Sequence, residues 1–189
     1  MIAQVKDLQP DPLAVAARDL QGRHAVSTHR PRPGAPWSRL RRISSWLHRA
    51  RAAAANPSPE ATKAAEWLLD NDYQVQRAVV QIEQDLPTGF YKRLPILKGP
   101  GDEGVPRILA IAYGLLHTSH LQLSLMTAVR FVQAYQQGAP LTIAELWALP
   151  TMLRLACLEV LTCGWTRLFP NVEPPFAPTR QRPAGSEWC

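Results

Sequence analysis

The feature that most constrains this chain is the spacing of its apolar residues, which recur at intervals of three and four over most of residues 38–168. That period matches one face of an α-helix, whereas a half-buried strand needs alternation at two. No run of alternating β-branched residues bounded by turn residues is long enough to make a sheet. The expected fold class is therefore all-α: a helical bundle or hairpin array of about five helices.

Breakers and capping signals set the limits of those helices. Leu40, Ile43, Leu47 and Ala50 define a short basic amphipathic helix over 38–54, closed by AAAANPSPE. Ser58-Pro59-Glu60 is a start signal, with an N-cap serine, proline at the first helical position and an acid in the first turn. Ala61, Ala64, Ala65, Leu68, Leu69, Tyr73, Val75, Val79 and Ile82 then support one helix to Asp85. The segment LPTGFYKRLPILKGPGDEG, residues 86–104, carries three prolines and four glycines and reads as an extended connection with turns. Pro106 opens a helix with Leu109, Ala112, Tyr113 and Leu116 on its face, and a further helix is expected from Ser119 to Gln136. After Gly138-Ala139-Pro140, Thr142 and Glu145 stand at capping-box spacing, and Pro150 falls where another helix would begin.

Charge divides the chain unevenly. The net charge is +6, but residues 1–55 carry +7 and the remainder −1. Residues 1–57 therefore read as a basic, largely disordered leader with a short helix near Pro12–Leu20, 58–169 as the helical domain, and 170–189 as a proline-rich disordered tail. The series Arg30, Arg32, Arg39, Arg41, Arg42, Arg49 and Arg51 makes nucleic acid or an anionic membrane surface the alternative class of partner. A solvated basic leader is the plainer reading, and no nucleic-acid partner is expected.

Cys157, Cys163 and Cys189 fit no zinc or redox spacing and are expected as reduced thiols, the first two as small core residues. No uncharged apolar run reaches eighteen residues, so no transmembrane segment is expected. The first twenty residues have no apolar run of the kind a secretory signal needs, which makes the expected location cytoplasmic.

Nothing in the chain assembles a reaction centre. The glycines of GPGDEG (99–104) have no Lys-Ser/Thr after them, and Pro100 removes an amide donor, so a turn is expected rather than a phosphate loop. His117 and His120 have no third and fourth ligand beside them and mark a polar junction between helices. Asp70 and Asp72, flanking Asn71 mid-helix, are locally unfavourable and call for a tertiary partner. No nucleophile, base and oxyanion donor can be grouped, so no catalytic, cofactor-binding or metal residue is assigned. Trp67 and Trp147 follow the apolar period and are expected in the core.

Four blocks occur in order: AAEWLLDN (64–71), DLPTGFYKRLP (85–95), GVPRILAIA (104–112) and FVQAYQQGAPLTIAELWALPTMLRLACLEVL (131–161). Together they resemble the N-terminal helical region of the bacterial cyclic β-1,2-glucan synthases. The resemblance extends over residues 60–165. Ala144 stands where that family favours glycine, and Gly89-Phe90-Tyr91-Lys92 replaces its Gly-Tyr-Tyr-Arg.

The resemblance implies a parent glycosyltransferase of the inner membrane that polymerises glucose from UDP-glucose and closes the chain into a ring. This region would lie on the cytoplasmic side, and the other domains of the parent synthase would be its partners. On that basis the chain is expected to be a non-catalytic helical interaction or scaffold module, with PTRQRPAGSEWC suggesting a truncated or frameshifted reading frame. Within the blocks, Trp67, Asp70, Tyr91, Pro106, Arg107, Glu145, Trp147 and Arg154 are the structural candidates.

Overall fold

A computed structural model describes residues 11–27, 35–99 and 104–175. Among the described residues seven α-helices carry the fold: α1 (Pro12–Arg23), α2 (Ala35–Ala54), α3 (Thr62–Asp85), α4 (Thr88–Tyr91), α5 (Arg107–Thr118), α6 (Leu125–Gln136) and α7 (Ile143–Thr166). Two three-residue strands, β1 (Ala25–Ser27) and β2 (Ile96–Lys98), pair antiparallel with Val26 opposite Leu97. The all-α class is what the structure shows, with this ribbon and the single turn of α4 added inside segments expected to be irregular.

Helix α5 lies at the centre because it has no polar face. Every residue from Arg107 to Leu116 is buried, and a helix apolar all round must be covered all round. Helix α7 packs along one side of α5 and also meets α3 and α2, while α1 packs against α5 and α6. Gly114 permits the α1 approach: a Cβ there would stand 2.5 Å from Leu20 Cδ2. One continuous core runs from Ala17 in α1 to Val172 after α7.

The boundary expected at residue 57 is therefore not a structural one. Ala17 and Leu20 of α1, and Leu40, Ile43, Trp46, Leu47 and Ala50 of α2, are all buried in the common core. Arginines hid this at the level of composition: Arg41, Arg42, Arg49 and Arg51 are exposed while the apolar stripe faces α3 and α7. Trp46, on that stripe, is completely buried, and its indole nitrogen has no hydrogen-bond partner. Arg30, Arg32, Cys189, the turn expected over 100–103 and the tail beyond 175 lie outside the described residues.

Three local expectations are corrected. The chain enters α3 through a 3-10 turn at Pro59–Ala61, and the Ser58 side chain makes no capping hydrogen bond. Residues 119–124 form a loop and not the start of α6, whose N-cap is Ser124, accepting from the Thr127 amide. The loop begins as α5 ends, with the Leu121 amide donating to Leu116 O and the His120 amide to His117 O. That closing pattern needs a left-handed residue, and His120 adopts φ 50°. Finally, α7 runs uninterrupted through Pro150. Proline removes the donor to the Leu146 carbonyl, and both residues lie on the exposed side, where water can replace it.

The cysteines also differ from expectation. Cys157 is an exposed free thiol and Cys163 is only partly buried, so neither acts as a simple buried core residue. With 24 residues, α7 is long and apolar enough to cross a bilayer, although its most apolar stretch is partly buried against the other helices.

Candidate functional site

The start of α7 concentrates most of the candidates. Thr142 caps the helix: its Oγ1 accepts from the Glu145 amide at 3.2 Å, and the Glu145 carboxylate accepts from the Thr142 amide at 2.9 Å. The Thr142 hydroxyl also donates to Glu145 Oε2 at 2.9 Å. This closes the capping box that the sequence spacing predicts.

Glu145 has a second task that the spacing does not reveal. Arg107, at the start of α5, donates from Nε to Oε1 at 2.7 Å and from Nη2 to Oε2 at 2.6 Å. Its Nη2 also donates to the Pro140 carbonyl at 3.1 Å. The two side chains are 7% and 0% exposed. A buried carboxylate is tolerated only when its lone pairs are filled, and here four donors reach it. Burial penalises the Arg107 guanidinium, but the hydrogen bonds and charge of Glu145 outweigh this and hold its pKa above the usual arginine value.

The loop before α5 aims Arg107. The Arg107 amide donates to the Pro95 carbonyl at 2.9 Å, and Gly104 turns the chain at φ 79°. Pro106, buried, takes the N-cap position, where its missing N–H is of no consequence. Tyr135 and His24 complete this end of the bundle, sharing a hydrogen bond of 2.8 Å. Burial, with the nearby charges of Arg23 and Arg107, pushes the His24 imidazole down to about 4. Burial raises the Tyr135 hydroxyl to about 12.

On its other side the same helical turn inverts the usual pattern. Ile143, Leu146, Trp147 and Pro150 recur at i, i+3, i+4 and i+7, and all four are exposed. Ile143 is 74% and Trp147 77% exposed, while the glutamate between them is sealed. The expectation that Trp147 fills the core is overturned, since Glu145 and Ala148 take the inward positions one residue out of phase with it. Trp67 is likewise 47% exposed, lying against buried Trp165 with ring centroids 5.5 Å apart.

The remaining candidates are dispersed. Arg154 donates to Asp85 Oδ2 at 3.2 Å, an atom that also accepts from Thr151 Oγ1. Asp70 is exposed and joins no ion pair among the described residues, whereas its neighbour Asp72 meets Arg51 at 2.9 Å. Tyr91 is buried in the field of Arg39, and its hydroxyl is raised to about 12, burial being the larger cause.

A second buried carboxylate was missed. Glu159 of α7 accepts from Arg39 Nε at 2.9 Å and Nη2 at 2.7 Å, and from the Tyr113 hydroxyl. The signal was available: Glu159 is the lone acid in LACLEVL and follows Leu155 at i+4. Its arginine partner was assigned to the solvated leader. Among the described residues, no group of three His, Cys, Asp or Glu side chains could hold a metal ion.

Comparison with known proteins agrees with the block pattern. Over 115 residues, 61% of this chain, the sequence is 36% identical to the cyclic beta-(1,2)-glucan synthase NdvB of Rhizobium meliloti (strain 1021). The match spans only 4% of that protein's length, consistent with a piece of a much larger polypeptide. No family model matches the chain.

Proposed function

We propose that this chain is a non-catalytic helical interaction module of a cyclic β-1,2-glucan synthase, a parent that builds its product from UDP-glucose, and that its partners are the other domains of that parent. The observation that carries this reading is the inverted first turn of α7, with glutamate sealed inside and Ile143, Leu146 and Trp147 outside. Holding a buried ion pair fixes the helix rigidly, so the apolar stripe is presented in one orientation. Exposed contiguous aromatics and aliphatics on a firmly anchored element are the composition of a contact surface, with the tryptophan as its anchor. The similarity to a small portion of a long synthase supports the choice of partner, polypeptide that this chain does not contain.

Two measurements test the proposal. Purified chain incubated with labelled UDP-glucose and a divalent metal is expected to incorporate no label, and reproducible turnover would sink the non-catalytic reading. Separately, a synthase lacking this region should capture the purified chain, and Trp147→Ala should weaken capture by about 2 kcal/mol or more, as an anchor residue does. The same substitution should leave unfolding stability within about 0.5 kcal/mol, because the side chain is at the surface. Undiminished capture by the variant would remove this face from the interface.

A further inference from the structure

Helix α2 carries five arginines and no acid. Two of the five are paired: Arg39 with Glu159 of α7 and Arg51 with Asp72 of α3. The other three, Arg41, Arg42 and Arg49, join no ion pair among the described residues. All three line one open cleft of about 470 Å³ between α2 and the segment Glu173–Pro175. Arg42, Ser45 and Arg49 stand at i, i+3 and i+7, so they form one stripe along the helix, flanked by Arg41.

The opposite wall does not neutralise this stripe. Glu173 supplies the cleft's single carboxylate, and what Arg49 takes from it is the backbone carbonyl, at 3.3 Å. Pro174 and Pro175 give that wall a stiff, non-donating surface. Like charges gathered on one face of a helix repel one another, and a bound anion relieves that repulsion. Guanidinium groups match the planar spread of phosphate oxygens and donate in pairs, and a serine hydroxyl adds a neutral donor.

We propose that this cleft binds a phosphate-bearing anion, seated between Arg41, Arg42 and Arg49. Its volume falls in the range of small-molecule sites, roughly 300–1,000 Å³. The Glu173–Pro175 segment walls one side of the cleft, which is otherwise open to solvent. The apolar start of α7 contributes no residue to it, so the site is independent of the interaction face above.

The test uses the full chain and inorganic pyrophosphate, titrated calorimetrically at low ionic strength. One equivalent should bind, more weakly as salt is added. Arg42→Ala/Arg49→Ala should lower the affinity about tenfold or more, as loss of charge-assisted hydrogen bonds does. The Arg42→Lys/Arg49→Lys pair should retain an intermediate affinity, since it keeps charge and loses the fork. Both side chains are exposed, and circular dichroism of each variant checks that the helices persist. A second arm sediments the chain with phosphatidylcholine vesicles with and without phosphatidylglycerol. Binding to the anionic vesicles alone, lost in the alanine pair, identifies the phosphate as a lipid headgroup; pyrophosphate binding in solution identifies a soluble ligand. No binding in either arm, or binding that the alanine pair leaves unchanged, overturns the proposal. So does affinity confined to single-stranded oligonucleotides.

Discussion

Helix α7 takes part in three ion pairs, and two of them, one near its start and one in its middle, obey different physics. Arg107–Glu145 is bidentate, joined to a capping box, and sealed at 7% and 0% exposure. Arg154–Asp85 has one contact at 3.2 Å, with 40% and 49% of the side chains exposed. In the first, water is gone and each partner is indispensable to the other. In the second, water remains a competitor and the pair is replaceable. The sequence presents both as one arginine and one acid in similar helical surroundings. What separates them is whether other helices close over the pair.

The comparison can be broken most directly at Arg107. Arg107→Met leaves Glu145 buried without its cation and should cost about 3–5 kcal/mol in urea unfolding. Arg107→Met/Glu145→Met should recover a large part of that loss, because the penalty belongs to the stranded charge. A single-variant loss below about 1 kcal/mol would place the sealed pair in the same class as the open one.

The next effect sharpens the comparison through pH. His24 adjoins the sealed end, and its imidazole is lowered from 6.5 to about 4. Below pH 6.5 the unfolded chain takes up this proton before the folded chain does. Stability is therefore lost as pH falls from 6.5 towards 4 and levels off below that, a change on the order of 2–3 kcal/mol. The measurement is the difference in urea midpoint between pH 7 and pH 4.5 for wild type and His24→Gln. Identical pH dependence in both would remove His24 from the account.

Thr142→Ala separates capping from pairing within the sealed cluster. It removes the side-chain acceptor for the Glu145 amide but leaves Arg107 in place, so the expected loss is about 1 kcal/mol. A loss approaching that of Arg107→Met would show that the cap, and not the cation, holds the carboxylate. Smallest of all is Arg154→Ala, expected to cost about 0–1 kcal/mol, with a double-mutant cycle against Asp85→Ala returning a coupling in the same range. Coupling above about 2 kcal/mol would mean that exposure does not decide the worth of these pairs.

Parts of the same helix show how far the sequence can be read. Thr142 and Glu145 were legible as a capping box because a cap is a contact between residues three apart, fixed by local backbone geometry. That Arg107 meets the same carboxylate was not legible, since 38 residues intervene and no local rule links them. Trp147 was misplaced for a related reason. An apolar period of three to four is satisfied equally by the face bearing Ile143, Leu146 and Trp147 and by the face bearing Ala148, Met152 and Leu155. Only the packing of α5 and α3 against the second face selects it.

Helix α2 gives the converse case. Its apolar stripe was read correctly, but its five arginines made the segment look like part of a solvated leader. Two of those arginines are used by carboxylates brought from α7 and α3, and Trp46 on the same helix is completely buried. Charge composition describes what a segment exposes before folding; it does not say which charges will find partners.

By itself the sequence determined the helical class, the C-terminal ends of α2, α3 and α6, the cap of α7 and the similarity over 115 residues to a cyclic β-1,2-glucan synthase, because each rests on residues close in the chain or on its order. The tertiary structure alone decided that residues 12–27 and 35–54 belong to the body, which carboxylates are sealed, and which of two apolar faces of α7 looks outward. Those outcomes depend on desolvation, and a side chain loses its water only when a distant element arrives to exclude it.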